Sequence, residues 1–163
     1  MKTLVLLRHA KSAHPGAGSD FERTLSQRGW RDAPAAGLEL KRRKLRPDIV
    51  VSSPAVRARE TAETALSAAG LPDAPVFEPD VYEASSDRLL RVIRGLPAAA
   101  SSALLVGHNP GMEELLARLA PEDATSMPTA ALVCLHLDVS DWDAASNGCG
   151  RVAWRWAPKD RFG

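Results

Sequence analysis

Three short stretches of the chain are apolar with almost no alternation: residues 3–7 (TLVLL), 47–53 (PDIVVSS) and 101–108 (SSALLVGH). A strand with one wet face alternates apolar and polar side chains, whereas a strand covered on both faces is apolar throughout, so these three read as buried strands. Between them the pattern turns helical. Ser26 is the predicted N-cap of a helix reaching about Lys44, in which Gly29 and Pro34 predict a kink or a late start. Ser53 and Pro54 are expected as N-cap and first residue of a helix over 55–69 that Gly70 closes. A short extended piece (PVFEP, 75–79) precedes a helix near 87–96, and Asn109 and Pro110 open another over 111–120.

The last third breaks this rhythm. Residues 131–139 (ALVCLHLDV) and 151–157 (RVAWRWA) read as two strands joined by SDWDAASNGCG, pairing antiparallel at or near a sheet edge. Strands alternating with helices, then a terminal strand pair, predict an α/β fold: three layers (α/β/α), a mainly parallel central sheet and a C-terminal strand pair. At 163 residues, with no internal repeat or linker, residues 1–163 are expected to form one domain. A chain of this size buries roughly 70% of its unfolded surface.

Twenty-one basic residues against twenty acidic ones leave no global field that would draw the molecule to nucleic acid or to an anionic membrane. The basic run KRRK, Lys41 to Lys44, falls at a predicted helix end, where cations favour the dipole. Two cysteines, Cys134 and Cys149, make neither a disulfide framework nor a CxxC motif, so reduced thiols in a cytoplasm are expected. Only five uncharged residues separate Lys2 from Arg8, too few for a signal peptide, and no run is long enough to span a membrane.

Any anion site must therefore be local. In open parallel sheets ligands bind beyond the carboxyl ends of the strands, and three such ends carry polar groups here: Arg8 and His9, Arg57 shortly after the second strand, and His108. Each alone could be a surface or structural group. Together, cations at converging strand ends would repel one another unless an anion lay between them, and phosphate fits. Two guanidinium groups can hold a phosphoryl group at any ordinary pH. A neutral imidazole can attack phosphorus, and a second can stabilise charge on the equatorial oxygens. Glu83 in DVYEASS is the leading carboxylic acid for the leaving group, with Asp20 and Glu22 as substitutes.

Four ordered blocks, LVLLRHAKS, ERTLSQRG, VVSSPAVRARETA and LLVGHNPGMEELL, resemble the signatures of the histidine phosphatase (phosphoglycerate mutase-like) superfamily, and most of all its small SixA-type phosphohistidine phosphatase branch. They cover about two-thirds of the chain, from residue 4 to about 117. The resemblance implies His9 as the phosphorylated nucleophile, Arg8, Arg57 and His108 as the phosphate pocket, and Glu83 as the acid of a "VYE" element. It implies a metal-independent phosphatase with no cofactor and a phosphate-bearing substrate, protein phosphohistidine or a small phosphomonoester. Many relatives carry Gly after the nucleophile and Asn six residues past it; Ala10 and Pro15 stand there. Twenty residues lie between Thr61 and Tyr82, too few for a substantial lid, so an open pocket able to admit a phosphorylated protein side chain is expected.

Other chemistries fit less well. Asp141 and Asp143 form a D-x-D, but only twenty residues follow, leaving no space for the remaining parts of a magnesium-dependent aspartyl phosphatase. No G-x-S-x-G occurs. Alternation places His136 on one strand face with Cys134 and Asp138, which reads as a partly polar face before it reads as a metal site. The glycines of GAG, Gly16 and Gly18, do not open a helix directly after a strand, which excludes a dinucleotide loop. A phosphoprotein-docking module without turnover is the non-enzymatic alternative.

Overall fold

The computed structural model describes residues 1–14, 16 and 18–158. In chain order its elements are β1 (Lys2–Arg8), α1 (Gln27–Arg42), β2 (Ile49–Ser52), α2 (Val56–Ala69), β3 (Val76–Phe77), α3 (Ser86–Arg94), β4 (Ser102–Gly107), α4 (Gly111–Leu119), β5 (Leu132–Leu137) and β6 (Gly150–Trp156), with short 3-10 turns between several of them. The six strands make one sheet in the order β3-β2-β4-β1-β5-β6. β3, β2, β4 and β1 run parallel, β5 is antiparallel to β1, and β6 pairs antiparallel with β5 at the edge. Both the mainly parallel sheet and the terminal strand pair match the expectation.

The unbroken apolar run of β1 follows from its place in the middle of this sheet. Leu4 and Leu6 point into one layer with Leu89 of α3 and Leu115 of α4, while Val5 and Leu7 face the other with Leu40 of α1 and Leu66 of α2. All four β1 side chains are fully buried, and burial of each contributes about 1.5–3 kcal/mol relative to exposure. α1 and α2 approach closely because position 37 is glycine: a Cβ there would meet the Ala65 carbonyl oxygen at 2.1 Å. No helix among the described residues is long and apolar enough to cross a membrane.

Several boundaries differ from the sequence expectation. α1 starts at once after Ser26, whose side chain accepts from Gly29 N, and continues through Pro34 to Arg42, so the late start does not occur. A proline nitrogen eight residues into a helix removes one hydrogen bond, and the buried face of α1 offsets that loss. α2 begins at Val56 with Ala55 in the cap position, so Ser53 is not its N-cap nor Pro54 its first residue. Gly70 does close α2, with φ of 71°. α3 runs from Ser86 to Arg94 behind an Ser85 cap that accepts from Arg88 N, a residue or two earlier at each end than expected. Pro110 takes the cap position of α4. Pro15, where relatives carry the loop asparagine, lies outside the described residues.

Among the described residues no group of three or more His, Cys, Asp or Glu side chains is arranged to hold a metal ion. The D-x-D segment is a short 3-10 turn that buries Trp142, whose indole N–H donates to Ala100 O at 2.8 Å. The KRRK run ends α1 as expected, with Arg42 and Arg43 both paired to Glu39.

Candidate active site

β1, β4 and β2 are neighbours and parallel, so their carboxyl ends open onto the same edge of the sheet. Arg8 is the last residue of β1 and pairs in register with Gly107, the last of β4; His9 and His108 follow directly. His9 N donates to Gly107 O at 3.0 Å, and the two imidazole centroids lie 5.1 Å apart. Arg57 stands in the first turn of α2, just beyond β2. His9 and His108 are each 8% exposed and Arg57 7%. The four residues that the sequence singled out at three strand ends are thus brought to one place.

The orientation of His9 follows from its backbone. Its Nδ1 lies 2.7 Å from the Ala10 carbonyl oxygen. A carbonyl can only accept, so Nδ1 carries the proton and Nε2 keeps its lone pair. Ala10 is held in turn, because its N–H donates to Thr61 Oγ1 at 3.0 Å while that hydroxyl donates to Arg57 O at 2.7 Å. Thr61 therefore couples the loop after β1 to the helix that carries Arg57. Below Arg8, the Ala130 N–H reaches the carbonyls of both Arg8 and His9 at 3.1 Å, from a backbone with φ of 62°.

Arg8 donates through Nη1 to Met127 O at 2.9 Å. Glu113 of α4 organises the same corner, with Oε2 accepting from Asn109 Nδ2 at 2.7 Å and from Met127 N at 2.8 Å. Burial draws the Arg8 guanidinium below its usual range, and the Glu113 charge opposes that shift. Two buried nitrogens of the cluster, Arg8 Nε and His108 Nδ1, have no hydrogen-bond partner. Buried polar atoms are seldom left so, and the oxygens of a phosphoryl group are acceptors of the kind both could use.

His108 owes its orientation to Ser53, whose Oγ lies 2.7 Å from Nε2. That same Oγ accepts from Ala55 N at 3.2 Å, and its proton has no other acceptor among the described residues, so it is assigned to Nε2 and the imidazole N–H to Nδ1. Ser53, assigned from the sequence to helix capping, is thereby a candidate positioning residue. Substituting Ser53→Ala should lower kcat about tenfold, the cost of leaving His108 without its orienting bond. The check is steady-state kinetics on an aryl phosphate; an unchanged kcat would remove the positioning role.

Burial pushes His9 down to about 3, with the charges of His108, Arg57 and Arg8 adding to it and the Ala10 bond opposing it. Burial likewise lowers His108 to about 4, helped by Arg57 and Arg8 and opposed by Asp20. Both rings are therefore neutral at pH 7, as a nucleophilic imidazole requires. Each folded value lies below that of an unfolded histidine, near 6.5. Below that pH the unfolded chain takes up protons that the folded chain refuses. Their contribution to stability is thus full above about pH 6.5 and is lost progressively as pH falls toward 4 and 3. At pH 5 the loss should be about 2 kcal/mol per histidine relative to neutral pH. Urea midpoints measured at pH 7.5 and 5 test this, and replacing both rings by glutamine should flatten the difference.

A cavity of about 470 Å³ reaches the cluster at Arg57 and His108 and is lined also by Asp20, Glu83, Asn109 and Glu114, among others, but not by Arg8 or His9. Glu83 also lines this cavity, exposed and with φ of 51°. Asp20 is closer to the cations. Arg57 donates through Nη1 to Asp20 O at 2.8 Å and through Nη2 to Asp20 Oδ2 at 3.1 Å. Tyr82 donates its hydroxyl to the same Oδ2 at 2.7 Å. The Tyr82 bond first, then those from Arg23 and Arg57, hold the Asp20 carboxyl down to about 2. Burial and the Asp20 bond raise Tyr82 to about 12. Asp20 is hence an acceptor and not the substitute proton donor the sequence allowed. Glu22 bonds Ser19 Oγ and lines a different cleft. A larger cleft of about 520 Å³, between β2, β3 and α3, contains no histidine.

Comparison with known proteins agrees with this geometry. An uncharacterized protein of Mycobacterium tuberculosis is 30% identical, covering 94% of this chain and all of the relative. The solved structure of SixA from Agrobacterium tumefaciens, named provisionally as a phosphohistidine phosphatase, superposes with a TM-score of 0.81 at 31% identity, over 96% of this chain and 98% of that one. A similarly named SixA from Nakamurella multipartitia gives 0.80 at 29% identity, over 97% and 96%. The model of the histidine phosphatase superfamily (branch 1) matches residues 4–85. With that model matching half of the chain and a relative 30% identical over 94% of it, this chain belongs to the histidine phosphatase superfamily.

Proposed function

We propose that the protein removes phosphoryl groups from phosphohistidine side chains of other proteins, through a covalent intermediate on His9 and without a metal. The observation that carries this reading is the meeting of Arg8, His9, Arg57 and His108 at three adjacent strand ends, with His9 Nε2 unprotonated. Arg8 and Arg57 hold the phosphoryl oxygens, His9 Nε2 attacks phosphorus, and His108 Nδ1–H donates to an equatorial oxygen. Water then cleaves the phosphohistidine. Glu83, at the rim of the cavity, serves as proton donor when the leaving group is an alkoxide. The SixA names of relatives at 31% and 29% identity support phosphohistidine as the substrate. The free thiols of Cys134 and Cys149 fit a cytoplasmic location.

The test compares kcat/KM for a phosphohistidine-bearing protein with a panel of small phosphate esters. A preference of at least about a hundredfold for the phosphoprotein is expected. Equal or better turnover of one small ester would replace the substrate assignment and leave the chemistry intact.

A further inference from the structure

Three acids, Asp20, Glu83 and Glu114, line the cavity together with Arg57 and His108. Asp20 is the carboxylate fixed in place there, by Arg57, Tyr82 and Arg23. One buried nitrogen among the lining residues, His108 Nδ1, has no partner among the described residues and is left for a ligand acceptor. Aromatic rings extend outward from it. Tyr82 packs edge-on to His108 with centroids 5.6 Å apart, and the partly exposed Phe21 packs edge-on to Tyr82 at 5.1 Å.

A negative lining beside a phosphate pocket is unfavourable for a substrate whose leaving group is itself anionic. It suits a flat leaving group that carries an N–H or a positive charge. We propose that Asp20 is a specificity-determining residue that accepts a hydrogen bond from the distal N–H of a protonated N-phosphoimidazole, so that the substrate's imidazole leaves neutral without a general acid. This rests on the phosphohistidine reading above.

The step balances as follows. The substrate ring enters with its distal nitrogen protonated and its proximal nitrogen bonded to phosphorus. His9 Nε2 supplies the electron pair of the new N–P bond. The old P–N bond breaks with its pair returning to the proximal nitrogen, and the product is neutral imidazole bearing its proton on the distal nitrogen. No proton has to be delivered during the transfer. The Asp20 charge favours the protonated ring, Glu83 and Glu114 add to that field, and Arg57 and Arg23 oppose it. Tyr82 and Arg57 donate to Asp20 Oδ2 and Arg23 to Oδ1, so of the four lone-pair sites of the ionised carboxylate one on Oδ1 is left for the ring N–H.

Asp20→Asn is the test, because asparagine keeps an oxygen for Arg57 and Tyr82 while removing the charge. The readout is the ratio of kcat/KM for N-phosphoimidazole to that for p-nitrophenyl phosphate. That ratio should fall about 10- to 100-fold, the worth of one charge-assisted hydrogen bond. The alkaline limb of the N-phosphoimidazole pH profile should also move to lower pH in the variant, since the ring loses a carboxylate that held its proton. A ratio within about twofold of wild type would overturn the proposal and leave Asp20 as a prop for Arg57. Failure of the wild-type protein to hydrolyse either compound would instead defeat the phosphatase reading itself.

Discussion

Replacing His9 by alanine lowers kcat by about four orders of magnitude or more, because it removes the atom that receives the phosphoryl group. No neighbour can replace it. His108 has its Nε2 committed to Ser53, and its Nδ1 lies on the donor side of the proposed reaction. In the wild-type protein, quenching the reaction with a 32P-labelled substrate should trap label on the chain that survives base and is lost in acid, as a phosphorus–nitrogen bond dictates. Label stable to acid would identify an oxygen ester and sink the His9 mechanism. So would a wild-type rate in the His9→Ala variant.

Arg57→Ala is expected to reduce kcat/KM by about 10²- to 10³-fold, the usual effect of deleting one donor aimed at transferring or developing charge. The loss should appear in both affinity and rate, since Arg57 contacts the phosphoryl group in ground and transition states alike. A second effect adds to the first. Asp20 Oδ2 lies 3.1 Å from Arg57 Nη2; without the guanidinium its carboxylate keeps only Arg23 as a cationic partner and repels a dianion more strongly. Arg57→Lys should recover little, because an ammonium cannot span Asp20 and a phosphate oxygen as the planar fork does. Inhibition constants for inorganic phosphate, measured alongside turnover, separate the two contributions. A phosphate affinity unchanged in Arg57→Ala would remove Arg57 from the pocket.

The sequence by itself determined the frame of this site. The aliphatic run of β1 dictates a strand buried on both faces, which forces Arg8 and His9 to emerge where the run stops. The same holds for β4 and His108, and for β2 with Arg57 one turn into the next helix. These are local consequences of hydrophobic burial and of strand direction, so they can be read without coordinates, and three of the four family blocks fall on the same residues. The C-terminal antiparallel pair was legible for the same reason.

Contacts between residues distant in sequence were decided only by the tertiary structure. Ser53 reads as a helix cap because capping rules see three or four residues ahead, yet its hydroxyl turns to an imidazole 55 positions away. Asp20 reads as one of several loop acids, and becomes the fixed carboxylate of the cavity because Tyr82, 62 positions on, and Arg57, 37 positions on, close around it. Thr61 is unremarkable in a helix until the loop after His9 packs on its hydroxyl. Hydrophobic periodicity records which face of an element is covered. It carries no record of which buried donor meets which acceptor, because that pairing arises only once β1, β2 and β4 lie side by side.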